Sequence, residues 1–95
     1  MGDPTKAFIN IPNRILDHLI RHPLPPTQSK LVMWIIRDTY GRDQATVERD
    51  LTRISSDIGV DKTSTCRALR HLIADGVVSQ NGKQIRISKD FGEVR

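Results

Sequence analysis

The stretch LTRISSDIGVDKTSTCRALRHLIADGVVSQNGKQIRI, residues 51–87, interleaves two helix-length segments with glycine turns and ends on an Asn-Gly pair. Ile54 and Ile58 stand four apart, which places them on one face of a short helix. Thr52 is a candidate cap at its start. Gly59 supplies a left-handed turn and Val60 fills the corner. Asp61 then suits the cap of a second helix over residues 62–75, closed by Gly76. Thr65, Leu69, Leu72 and Ile73 lie on its inner side, with Ala68 at the closest crossing. Residues 77–80 and 83–88 alternate around Asn81-Gly82, the strongest two-residue hairpin signal. With that loop Val78 faces Ile85, and Ile87 continues the inward face. Ser79, Gln84 and Arg86 point the other way. Helix, tight turn, helix, hairpin is the order of a helix-turn-helix followed by a wing.

Upstream, residues 1–7 are expected to form a flexible leader. Residues 8–11 form a short apolar strand or extended anchor. Pro12 suits the first position of a helix, where its missing N–H has no helical partner. Ile15, Leu16, Leu19 and Ile20 are expected on one face of that helix. It ends by His22, because Pro23 disfavours helical geometry before it. Residues 23–26 make a stiff connector, and Thr27 can cap the next helix. From Leu31 to Tyr40 that helix is apolar on most sides, as a central helix is. Trp34 is read as core and Gly41 as the helix end. A short strand beside the wing is expected within residues 46–50. The expected fold is mainly α with a small β-hairpin: a winged helix-turn-helix of about four helices plus a C-terminal two-stranded wing. The domain spans residues 8–88, and residues 89–95 form a short tail.

The 95 residues allow one small domain. Phe8, Trp34, Tyr40 and Phe91 are too few and too scattered for a stacking platform on single-stranded nucleic acid. Cys66 is the lone cysteine, which rules out an internal disulfide and a zinc-finger framework. The longest apolar run, residues 31–36, is far short of a membrane span. With no signal-peptide pattern at the start, the expected location is the cytoplasm. His18 and His22 could form half a metal site, but beyond Asp17 no third ligand is near; they are read as helix-surface residues. Ser55-Ser56-Asp57 has no histidine beside it, so no catalytic residues, metal or cofactor are expected.

The net charge is +4, and its placement is informative. Residues 62–89 hold Lys62, Arg67, Arg70, Lys83, Arg86 and Lys89 against Asp75 alone, whereas residues 41–61 are net acidic. The excess therefore sits on the second helix of the motif and on the hairpin. A major groove admits one α-helix and is read by that helix's outer, N-terminal face. Here the face is expected to carry Lys62, Thr63, Ser64, Cys66, Arg67 and Arg70. Arg67 has the planar fork that matches the O6/N7 acceptors of guanine. Lys62 and Arg70 suit phosphates, which fix register rather than sequence. Thr63 and Ser64 can touch phosphate or base edges, with local helix-start bonding as the competing use. Lys83, Gln84 and Arg86 are expected against the flanking backbone or the minor groove. The plain alternative for the basic residues is a solvated face without a partner.

Three stretches carry a family resemblance: Ile11-Pro12-Asn13, Ile35-Ile36-Arg37-Asp38-Thr39-Tyr40-Gly41, and Arg67-Ala68-Leu69. With Asp75-Gly76-Val77-Val78 at the helix-to-wing junction, the chain resembles the N-terminal domain of the bacteriophage replication protein O family over about residues 8–88. The resemblance implies a winged-helix domain that binds double-stranded DNA at repeats in a phage or prophage replication origin. It also implies that a later region, not within these residues, recruits the replicative helicase or its loader. Two positions depart from the pattern. Arg42 stands where the family often has an aromatic residue. Thr65 stands where it commonly has an apolar one, so the fourth helix is expected to pack less tightly. Two other functions stay open on the residues alone: a small phage or mobile-element transcription regulator, and a protein-interaction module docking through its first helix. A homodimer is also open, with the first helix, residues 8–11 or Phe91 as the contact.

Overall fold

A computed structural model of the chain describes residues 11–89 and Phe91. The elements run α1 (Asn13–Arg21), α2 (Pro26–Thr39), a 3-10 turn (Tyr40–Arg42), β1 (Val47–Glu48), α3 (Leu51–Ile58), α4 (Lys62–Ala74), β2 (Val78–Asn81) and β3 (Gln84–Ile87). Four helices and a three-stranded antiparallel sheet, ordered β1-β3-β2, make a mainly helical, winged-helix-like fold. β1 is the short strand expected within residues 46–50. It pairs Val47 with Ile85 and Glu48 with Gln84, which makes β3 the central strand. The leader at residues 1–7 and residues 8–10 of the apolar segment lie outside the described residues. Among the described residues no helix is long and apolar enough to cross a membrane.

α2 is apolar on most sides because it packs against α3, α4 and β3 at once. Leu31 and Ile35 are fully buried, Val32, Trp34 and Ile36 nearly so, while Met33 points outward. Ile54 of α3, Leu69 and Leu72 of α4, and Ile85 and Ile87 of β3 complete one core. Thr65 does not loosen α4 as its polarity suggests. It is fully buried, and its hydroxyl donates to the Asp61 carbonyl at 2.9 Å, so no polar atom is stranded.

On α1 the buried stripe is narrower than expected. Ile15 is fully buried and Leu19 half-buried, but Leu16 and Ile20 are 41% and 75% exposed. Only positions three and four apart share a helix face, so the residues following Ile15 and Leu19 swing out. His18 fills the remaining position of the stripe and packs against Phe91 with ring centroids 4.6 Å apart and planes tilted by 59°. Phe91 is itself buried, so its ring is not available for the contact between copies expected of it. Arg14 Nη2 donates to the Lys89 carbonyl at 2.8 Å and ties the segment after β3 to α1.

Helix ends follow local chemistry, with shifts. Pro12 sits one residue before α1 rather than inside it. Pro26 opens α2 at the first helical position, so Thr27 falls inside the helix and does not cap it. At α3 the cap is Asp50, not Thr52; its carboxylate accepts the Arg53 backbone N–H at 3.2 Å. Gly41 lies in the 3-10 turn without a positive φ, and the left-handed residue is Asp43 at φ 53°. Gly59 does hold the left-handed conformation, at φ 70°, and its N–H bonds to the Ser55 carbonyl. A Cβ there would meet nothing within 4 Å. Gly59→Ala is therefore expected to lose only the backbone term, about 1–2 kcal/mol, measured by thermal unfolding. A larger loss would mean the α3–α4 corner had moved.

The hairpin register differs from expectation. Asn81 pairs with Gln84, Gln80 with Ile85 and Val78 with Ile87. The two-residue loop is therefore Gly82-Lys83, with Gly82 at φ 62° and no positive φ at Lys83. Glycine first is the pattern of a type II′ turn, which spares Asn81 the left-handed conformation that an Asn-Gly turn would impose. The loop slides by one residue and the pairing register by two. Val78, Ile85 and Ile87 thus keep the inward face and are all buried.

A polar clamp fixes α3 on α2. The Asp38 carboxylate, 1% exposed, accepts from Arg37 Nε and Arg53 Nη2, both at 3.0 Å, with Arg42 Nε at 3.7 Å. Asp57 answers from α3: its Oδ2 accepts the Trp34 indole N–H at 2.8 Å and lies 3.6 Å from Arg37 Nη2. The Arg53 guanidinium also sits over the Trp34 ring, 5.7 Å from its centroid.

Candidate nucleic-acid interface

α4 is set by its start. Asp61 is extended, and its carboxylate accepts the Ser64 backbone N–H at 2.9 Å. That N–H first, and then the Ser64 hydroxyl, hold the Asp61 carboxyl below its ordinary range, with a smaller contribution from the charge of Arg67. The cap is therefore present above the ordinary carboxylate pKa and is lost as pH falls through the lowered folded value. Leu69, Leu72, Thr65 and Ala68 bury the opposite side of the helix.

The exposed side gathers most of the expected residues. Lys62, Thr63, Cys66, Arg67 and Arg70 line one cleft with Leu51 of α3. Their spacing puts them on adjoining rows of one helical face. Lys62 also lines a second cleft with Lys83 at the hairpin turn and the residues entering α3. The helix face and the hairpin tip thus adjoin at Lys62. Ser64 lies on the other flank, in a cleft with Arg67, His71 and the start of α2. Gln84 and Arg86 line neither of the first two clefts. The Gln84 side-chain oxygen accepts the Thr46 hydroxyl at 2.8 Å and so helps hold β1 to β3. Arg86 is half-buried, with Nε donating to the Ile87 carbonyl at 3.1 Å.

The sequence reading missed Arg49. Its backbone N–H donates to the Lys83 carbonyl at 2.7 Å, across the hairpin turn. Its guanidinium reaches the other way, with Nη2 3.9 Å from Cys66 Sγ on α4. The signal was masked because Glu48 and Asp50 flank it within a net-acidic stretch.

The cations of the clamp differ from those of α4 and the hairpin. Arg37, Arg42 and Arg53 are ion-paired with Asp38 and Asp57 between α2 and α3. Among the described residues, none of Lys62, Arg67, Arg70, Lys83 and Arg86 is paired with a carboxylate. No group of three or more side chains able to hold a metal ion occurs among the described residues.

The family model for bacteriophage replication protein O matches residues 1–93. The chain belongs to that family. No curated protein and no solved structure matches it significantly. Membership in the replication protein O family supports a role in phage replication. Of the stretches on which the resemblance rests, Ile35 to Gly41 contains the Asp38 clamp.

Proposed function

We propose that this domain binds double-stranded DNA, laying the exposed face of α4 in the major groove with the hairpin turn along the flanking backbone. Its task is recognition of a phage or prophage replication origin. The observation carrying this is a local gathering of charge: Lys62, Arg67 and Arg70 on the exposed face of α4 and Lys83 on the adjacent hairpin tip have no carboxylate partner among the described residues. Arg67, in the middle of that face, reads base edges. Lys62, Arg70 and Lys83 meet phosphates, and the exposed Thr63 is placed beside them. Family membership favours an origin over a promoter.

The deciding experiment is selection of bound duplexes from phage and host DNA with the purified domain, followed by footprinting. Tandem repeats inside an origin support the reading; a palindrome over a promoter would reassign the domain to transcription control. Arg67→Ala is expected to weaken the selected site by about 1–3 kcal/mol and relax the preference at one base pair. An unchanged preference would remove Arg67 from the reading set. If the intact domain has no duplex affinity at low salt, the protein-docking alternative takes its place.

A further inference from the structure

Arg49 occupies an unusual position. It is half-buried, its Nε has no hydrogen-bond partner, and among the described residues its one side-chain hydrogen bond is the 3.9 Å approach to the Cys66 thiol. Sulfur is a weak acceptor, and a guanidinium carries five donors that favour anionic oxygen. Among the described residues no carboxylate pairs with it, although Glu48 and Asp50 are its sequence neighbours. Asp50 is instead engaged at the start of α3. A partly desolvated guanidinium without an anion is costly, so such a site gains by acquiring one. An external anion has a route to it through the cleft that Arg49 lines with Lys62 and Lys83, beside Glu48 and Asp50.

We propose that Arg49 is a phosphate-contacting residue held in reserve between α4 and the hairpin. It rests on Cys66 in the free protein and transfers its guanidinium to a backbone phosphate when a duplex enters the cleft. This rests on the DNA-binding reading above and adds to it a contact outside the helix and the hairpin. Its backbone N–H, bonded to the Lys83 carbonyl at 2.7 Å, keeps the hairpin turn beside Arg49. The side chain and the backbone therefore have separate duties, and substitution alters only the first.

The test measures salt-dependent binding of a random-sequence duplex by wild type, Arg49→Gln and Arg49→Lys. Arg49→Gln is expected to bind about ten-fold more weakly at low salt, with a log–log salt slope shallower by about 0.9. Arg49→Lys keeps the charge and is expected to restore the slope. In the wild-type protein the Arg49 Nε–H resonance is expected to shift on adding duplex, while that of Arg53 in the Asp38 clamp stays in place. This second readout holds even if Arg49→Gln unfolds. An unchanged slope in Arg49→Gln, or an unmoved Arg49 resonance at saturating duplex, overturns the proposal and leaves the DNA-binding reading intact. A wild-type protein that fails to bind the duplex overturns both.

Discussion

Asp38→Ala is expected to lower the stability of the domain by about 3 kcal/mol, the lower end of the range for breaking a buried ion pair. The figure sits at that end because of who is left behind. The deleted carboxylate is 1% exposed, but its partners Arg37, Arg42 and Arg53 are 47–61% exposed and can rehydrate. Against a total of about 5–15 kcal/mol for an ordinary domain, this is a large fraction. Urea titration and thermal melting measure it directly. Arg42→Ala should change little, because a 3.7 Å contact from a largely exposed side chain contributes under about 1 kcal/mol. Equal losses from the two substitutions would show that the clamp is not centred on Asp38. Because Asp38 seats α3, the same variant should also lose duplex affinity before it unfolds fully.

The second large effect is on binding. If the α4 face and the hairpin tip neutralise about four to six phosphates, the log–log salt slope is roughly −3.6 to −5.4. Between 50 and 200 mM salt the affinity for duplex then falls by about two to three orders of magnitude. Fluorescence anisotropy with one labelled duplex across that range is sufficient. A flat response would mean that the unpaired cations do not meet a polyanion, and the proposed function would fall with it.

Much of the fold was legible because its signals are local. Gly59 and Asp61 define the α3–α4 corner through backbone conformation and a cap three residues long, and both act as their sequence implies. The alternation of Val78, Ile85 and Ile87 survived a shifted hairpin, because a two-residue change in register leaves faces unaltered. Failures occurred where two local signals compete. Pro26 and Thr27 both favour a helix start, and the proline prevails because its φ is fixed in advance. Asp50 precedes Thr52 and captures the cap before the chain reaches it. The Asp38 clamp was not legible at all. It joins α2 to residues fifteen and more positions later, and nothing in Arg37-Asp38 announces a partner in Arg53. The α4 face could be read from its spacing, whereas Arg49 is assigned only by the folding of β1 beside the hairpin.

The clamp has a consequence beyond holding helices. Arg37, Arg42 and Arg53 largely cancel against two carboxylates, whereas Lys62, Arg67, Arg70 and Lys83 have no carboxylate partner among the described residues. The exposed side of α4 and the hairpin turn thereby hold a local concentration of positive charge. A polyanion exerts a torque on such a body during approach and turns it before the surfaces touch. Fewer collisions are wasted, and this gain in capture rate fades as ions shorten the reach of the field.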